Sequence, residues 1–311
     1  MISVVMAAYN ASMYIVEAIK SILNQTYKKF ELIIVDDGST DNTLEIINRY
    51  AEKDKRIKII KSKHQGVSNA RNTAIKKAKY PWIAVMDSDD IALPERLERQ
   101  IKAAKSNPKI VAWGAAICHI NSKGEKFSLS KIGPETEEKF YIDRKKGMAV
   151  QIHHQTSLLK KDIISKAGYY NSRFEPSEDI ELFDRMIKYG PILAIPEPLL
   201  LYRVHPNSLS MQKFFLQKLV WRYVNTRLRR RLIKKEYLSF DEFIEEYNKQ
   251  SFFIRFQKYI RTLGQFYYRK SGLFFIEENY FRSFLYFFLA VVLNPKYSLP
   301  RLWNQITFQK S

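Results

Sequence analysis

Within the first 90 residues, four short apolar runs alternate with stretches of helical periodicity, and this alternation constrains the fold more than any other feature. The runs at residues 2–8, 30–35, 57–60 and 82–86 have strand length and are rich in Val and Ile. Between the first two, Ile15, Ala18, Ile19, Ile22 and Leu23 fall at i, i+3, i+4, i+7 and i+8, one stripe of a helix. Leu44, Ile46 and Ile47 mark a second helix, and the stretch from Gly66 to Ala78 a third. Strands separated by helices require right-handed parallel crossovers, which predicts an α/β sheet.

Three of the runs end in polar signatures: Tyr9 and Asn10, then Asp36 and Asp37, then Asp87, Ser88, Asp89 and Asp90. In a parallel sheet such ends lie on one edge, where ligands bind. Crowded carboxylates repel one another, and a hard cation or a polyhydroxyl ligand relieves that repulsion. An Asp accepts hydrogen bonds from a base or a ribose, and Arg71 is a candidate for phosphate. Each residue alone has an ordinary explanation: Asp37 as a turn former, Arg71 as a surface cation, Asp89 as part of a helix-capping cluster. Neither a G-x-G-x-x-G nor a Walker pattern occurs. Phosphate would then be held by cations rather than by a backbone cradle.

The later half reads less clearly. Residues 110–120 and 150–159 have strand character, with His153 and His154 in the second. Pro176 and Ser177 ahead of Glu178 and Asp179 read as a helix start, with Ile180, Phe183 and Ile187 as its buried face. Acidic residues in a first turn are ordinary caps. His64 has no evident partner.

The series Val-Val-Met-Ala-Ala-Tyr-Asn at 4–10, Glu-Leu-Ile-Ile-Val-Asp-Asp-Gly-Ser-Thr-Asp at 31–41, Gly-Val-Ser-Asn-Ala-Arg-Asn at 66–72 and Met-Asp-Ser-Asp-Asp at 86–90 resembles the family 2 inverting glycosyltransferases of bacterial surface-glycan type. The resemblance covers about 210 residues. It implies a GT-A fold, a mixed sheet flanked by helices. It also implies transfer of a sugar from a nucleoside diphosphate donor, with uridine diphosphate expected, to a hydroxyl of a glycan or lipid-linked acceptor in polysaccharide, lipopolysaccharide or capsule synthesis. Ala8 and Tyr9 would line the nucleotide pocket, Ala8 standing where the family commonly has Pro. Asp37 would bind base or ribose, Arg71 base or pyrophosphate, and Asp87 and Ser88 the donor. Asp89 would ligate Mn2+ or Mg2+, and His205, in the motif that starts at Tyr202, would complete the metal shell. Asp179 would be the general base. His154 and Glu178 are candidates for acceptor contact.

Composition changes near Met211. Residues 211–311 carry 19 Lys and Arg against 7 Asp and Glu, in a chain of net charge +20, and 26 of its 43 aromatic residues. Residues 1–210 are therefore assigned to the catalytic domain, with a nucleotide-sugar half at 1–105 and an acceptor half at 106–210, and residues 211–311 to a helical region. In that region Leu219, Tyr223, Leu228 and Leu232 back a basic face with Lys218, Arg222, Arg229, Arg230 and Lys234. Such a helix suits an anionic membrane surface, although docking on the catalytic domain or binding nucleic acid would use the same features. Residues 284–293 are apolar but too short to span a bilayer. With no signal peptide at the start and a single cysteine, Cys118, the expected location is cytoplasmic, attached peripherally to the inner face of the membrane, with no nucleic-acid partner. Two other functions compete: a nucleotidyltransferase, which would be expected to carry a Gly-rich basic loop near the first strand, and a non-catalytic basic protein binding membrane or RNA.

Overall fold

The structure is a computed structural model that describes residues 1–205, 208–236 and 238–308. The chain divides into two compact units, one of residues 1–120 and 124–203, the other of residues 121–123 and 204–311.

The first unit begins as the sequence predicts, with β1 (Ile2–Ala8), α1 (Ile15–Leu23), β2 (Phe30–Asp36), α2 (Thr43–Lys53), β3 (Ile57–Lys61), α3 (Val67–Lys77) and β4 (Trp82–Asp87). It continues through β5 (Ile91–Ala92), α4 (Arg96–Ser106), β6 (Ala112–Ile120), β7 (Lys126–Ser130), α5 (Glu137–Lys145), β8 (Leu158–Lys160), α6 (Lys161–Lys166), α7 (Glu178–Met186) and β9 (Ile192–Arg203). The sheet order is β3-β2-β1-β4-β8-β6-β9-β5, with β7 on β6. The first four strands are parallel; β8 runs antiparallel to both β4 and β6. β1 and β2 are buried on both faces, as their largely apolar sequences require; the polar Ser3 and Glu31 within them bond each other at 2.7 Å.

The later half departs from the sequence expectations. The predicted strand over 150–159 shrinks to β8, and His153 and His154 lie ahead of it, His154 in a single 3₁₀ turn with Gln155 and Thr156. Side chains replace the ladder there. Thr156 Oγ1 accepts from the Ala115 amide at 2.9 Å, and Gln100 Nε2 donates to the Thr156 carbonyl at 2.6 Å. Gly114 lets this segment cross β6, since a Cβ on it would stand 2.6 Å from Ile152 Cβ. The buried face of α7 is Glu178, Glu181, Leu182, Phe183, Asp184 and Met186; of the expected apolar set Phe183 is buried, while Ile180 and Ile187 are half-buried. Two carboxylates of its first turn thus face the interior.

The second unit is helical: α8 (Leu209–Gln212), α9 (Phe214–Leu232), α10 (Phe240–Asn248), α11 (Phe252–Ile276), α12 (Tyr280–Leu293) and α13 (Pro295–Phe308). α11 and α12 approach closely through small residues. Ser271 Oγ donates to the Ser283 carbonyl at 2.8 Å and Ser283 Oγ to the Ser271 carbonyl at 3.0 Å. No described helix is long and apolar enough to cross a membrane.

Candidate active site

Register brings three strand ends to one edge. Ala8 of β1 stands beside Asp36 of β2, and Ala7 beside Asp87 of β4. The chain passes from β1 through α1 to β2 on one side, then returns from β3 through α3 to β4 on the other. Strand order therefore reverses between β1 and β4, and the crevice outside their carboxyl ends is where an open α/β sheet binds its ligand.

One wall of the crevice is built on Asp37. Its amide donates to the Ala8 carbonyl at 2.8 Å, which locks the β2 end to the β1 end. Its carboxylate, 2% exposed, accepts from the Gln65 amide at 3.0 Å and the Gly66 amide at 2.9 Å. His64 Nδ1 lies 3.1 Å from the same carboxylate. The His64 ring stacks on Tyr9, centroids 4.0 Å apart, so His64 has two partners that the sequence gave no sign of. Asp37 thus orders the loop that delivers His64 to Tyr9, and the pair forms a half-exposed aromatic platform. Gly66 has φ +91°, and a Cβ there would stand 3.0 Å from Glu175 Oε2. That carboxylate accepts from the Ser68 amide and hydroxyl, both at 3.3 Å, at the start of α3.

Further along α3 the site is organised by Arg71, which is buried rather than a surface cation. Nη2 donates to Asp87 Oδ1 at 2.7 Å and Nη1 to Glu178 Oε1 at 2.6 Å. The guanidinium also lies over the Tyr170 ring at 6.0 Å. Arg71 thereby joins the end of β4 to the first turn of α7, where Glu178 lies 107 residues from it in sequence. Burial opposes the Arg71 charge, but Asp87 and Glu178 outweigh it and raise its pKa further. For Asp87 the cost of burial is likewise overcome, chiefly by Arg71, and its pKa falls.

Three carboxylates around a single guanidinium leave negative charge in excess. Burial pushes Glu178 up to about 7, with neighbouring Asp179 adding to the rise against the pull of Arg71. Glu178 Oε2 is buried without a hydrogen-bond partner, which favours its protonated form. Burial lifts Asp179 to about 6, although the α7 amides and Arg71 work the other way. His154 is held neutral, its pKa lowered to about 3 by burial and by the Arg71 charge, and its Nε2 lies 2.7 Å from the Tyr170 hydroxyl.

The acids at 87–90 separate into distinct environments. Asp90 is fully buried and accepts the Arg203 amide at 2.9 Å. Burial and the charges of Asp89 and Asp87 raise its pKa well above the usual carboxylate range, so it acts as a structural acid. Arg203 Nε donates to the Asp89 carbonyl at 3.0 Å. Beneath the turn, the fully buried Arg96 donates to the Val85 carbonyl at 2.6 Å. Ser88 and Asp89 are half-buried in the turn itself. No three His, Cys, Asp or Glu side chains gather as a metal cage among the described residues. The hard oxygens of Asp87 and Asp89 suit an ion that shares its shell with a ligand's own oxygens. His205 belongs to the second unit and is half-buried; Pro206 and Asn207 of its motif lie outside the described residues.

The family model for glycosyl transferase family 2 matches residues 3–166. The Escherichia coli O-antigen biosynthesis glycosyltransferase WbnJ is 38% identical over 214 residues, 67% of this chain and 81% of that protein. The chain belongs to glycosyl transferase family 2. An uncharacterized glycosyltransferase of Haemophilus influenzae is 32% identical over 68% of this chain and 67% of its own length. Among solved structures, S. aureus TarS 1-349 in complex with UDP-GlcNAc has a TM-score of 0.60 at 17% identity, covering 94% of this chain and 91% of that one. Mannosyltransferase PcManGT from Pyrobaculum calidifontis, in complex with GDP-Man and Mn2+, has a TM-score of 0.53 at 15% identity, covering 99% and 80%. These likenesses give the GT-A fold. The family 2 assignment makes the protein a glycosyltransferase of glycan biosynthesis, and the nucleotidyltransferase and non-catalytic readings fall.

The elevated Glu178 pKa has a thermodynamic signature. A carboxyl that holds its proton more tightly folded, at about 7 against an ordinary 4.5, adds stability that is complete below the unfolded value and lost as pH rises through about 7. Glu178→Gln removes this dependence. The melting temperature of the variant relative to wild type is expected to climb between pH 5 and 8. A difference that stays flat across that range would show that Glu178 does not titrate there.

Proposed function

We propose that the protein is an inverting glycosyltransferase that moves a sugar from a uridine diphosphate donor to a hydroxyl of a glycan or lipid-linked acceptor in surface-polysaccharide synthesis. The observation that carries this reading is the Arg71 bridge, which sets the Asp179 helix turn beside the Asp87 strand end at the switch point of the sheet. UDP-bound relatives of the same fold support the choice of donor.

In this reading residues 1–105 grip the donor and residues 106–210 the acceptor. Tyr9 and His64 give the base a face to stack on, and Asp37 fixes that face and contacts the nucleoside. Asp179 takes the proton from the acceptor hydroxyl. The hydroxyl oxygen forms its bond to the anomeric carbon as the opposite carbon–oxygen bond breaks, its electron pair leaving on the diphosphate. One displacement inverts the configuration and needs no enzyme nucleophile. A base near 6 is ionised at neutral pH yet still basic enough to help. His154, neutral and hydrogen-bonded to Tyr170, is assigned to shaping the acceptor side together with Glu178. Asp89, with Asp87 and Ser88 nearby, would hold Mn2+ or Mg2+. Such an ion supplies neutralisation of the charge that grows on the leaving diphosphate.

Asp179→Asn is expected to lower turnover by about 10²–10⁴, the usual share of a general base, with UDP affinity nearly unchanged. Near-normal turnover would return Asp179 to a capping role.

The helical unit is assigned to an anionic membrane surface on the cytoplasmic side. Its exposed apolar residues concentrate on α11 and α12; Phe281, Phe284 and Phe288 are 80%, 71% and 55% exposed. Charge complementarity supports this occupant, since residues 211–311 carry a net +12, and each cation near such a surface contributes about 1 kcal/mol. The wild-type protein is expected to co-sediment with phosphatidylglycerol vesicles at low salt, and replacing those three Phe residues by Ser should release it. Wild-type protein staying in the supernatant at low salt would sink the assignment.

A further inference from the structure

The helical unit contains a cavity of its own, of about 450 Å³, lined by residues of α9, α10 and α11 and by Gln250. That size lies within the range of small-molecule sites. Its charge is one-sided. Arg222, Arg229 and Lys258 line it, and the acid in the lining, Glu246, is paired with Arg230. Arg222 and Lys258 bond neutral oxygens, and Arg229 is exposed at the rim. Arg222 Nη2 donates to Thr262 Oγ1 at 2.6 Å and to the Lys258 carbonyl at 3.4 Å. Lys258 Nζ donates to Gln250 Oε1 at 2.5 Å and lies 5.3 Å from the Tyr247 ring centroid. Burial and the charge of Arg222 depress the Lys258 pKa, as happens where cations crowd without an anion. Trp221 and Tyr247 add aromatic surface, and Asn225 and Gln250 add amides.

We propose that this cavity binds a phosphorylated sugar, its phosphate among Arg222, Arg229 and Lys258 and its ring against the aromatic and amide wall. Charge-assisted bonds from guanidinium groups suit a phosphate. Aromatic surface with amides beside it suits the mixed C–H and hydroxyl surface of a pyranose, whereas a bare anion would use the cations alone. Identifying the sugar phosphate as a unit of the acceptor rests on the transferase reading; the anion site itself does not.

The test uses the full chain with saturating UDP present, so that binding at the sheet edge is blocked. Glucose 1-phosphate, glucose, inorganic phosphate and phosphatidylglycerol vesicles are titrated in separate arms by calorimetry. Glucose 1-phosphate is expected to bind at least about tenfold more tightly than glucose or inorganic phosphate. Arg229→Gln and Lys258→Gln are each expected to weaken it about tenfold, which corresponds to about 1.4 kcal/mol, and to leave UDP affinity unaltered. Wild-type affinity in both variants overturns the site. Equal affinity for inorganic phosphate overturns the sugar, and vesicle binding without glucose 1-phosphate binding gives the cations to a lipid surface instead. Failure of UDP to bind would count against the transferase reading and leaves the variant comparison intact.

Discussion

The catalytic unit depends on a buried guanidinium shared by two carboxylates. Arg71 leaves α3, bonds Asp87 at the end of β4 and Glu178 at the start of α7, and so ties the parallel half of the sheet to the segment that carries the proposed base. Removing one partner of such a buried pair leaves an uncompensated charge, which costs about 3–5 kcal/mol. The bridge also sets the electrostatics. One cation among three acids keeps Asp87 ionised while Glu178 and Asp179 titrate close to neutrality.

The same economy of charge recurs along the sheet edge. Asp90 is buried against the Arg203 amide and serves the turn, whereas Asp87 and Asp89 keep partly accessible carboxylates. Arg96 is fully buried yet binds a carbonyl and the Met86 sulfur, at 2.6 Å and 3.3 Å, with a pKa drawn down to about 10 by burial, against the pull of Asp90 and Asp87. It stiffens the strand end from below. Asp37 stiffens the neighbouring end by satisfying two loop amides. A site built this way keeps its polar groups positioned before any ligand arrives, which is the condition for electrostatic stabilisation of a transition state.

Much of this was legible in the chain. The first four strands and their crossovers follow from short, largely apolar runs and i, i+3, i+4 stripes, and the polar residues that end β1, β2 and β4 do share one edge. The later half was not, because side chains override pattern there. Pro196 and Pro198 interrupt β9 where its register with β6 shifts. Thr156 and Gln100 take up hydrogen bonds that a strand at 150–157 would have made. Taken alone, Arg71 reads equally as a surface cation, since α3 has no strong apolar stripe; its small buried neighbours Ser68, Ala70 and Ala74 were the available signal of its burial. His64 and Glu175 act through loop contacts that no sequence period encodes.

The most direct test of the account is the pH dependence of donor hydrolysis by Arg71→Gln, run beside wild type with a uridine diphosphate sugar and checked for folding by circular dichroism. Arg71 holds the pKa of Asp179 and Glu178 lower than burial alone would set them. The acid limb of kcat, expected near 6 in the wild type, should therefore move to higher pH in the folded variant, with a loss of rate at neutral pH. An acid limb that stays in place would contradict the claim that Arg71 couples the donor edge of the sheet to the base.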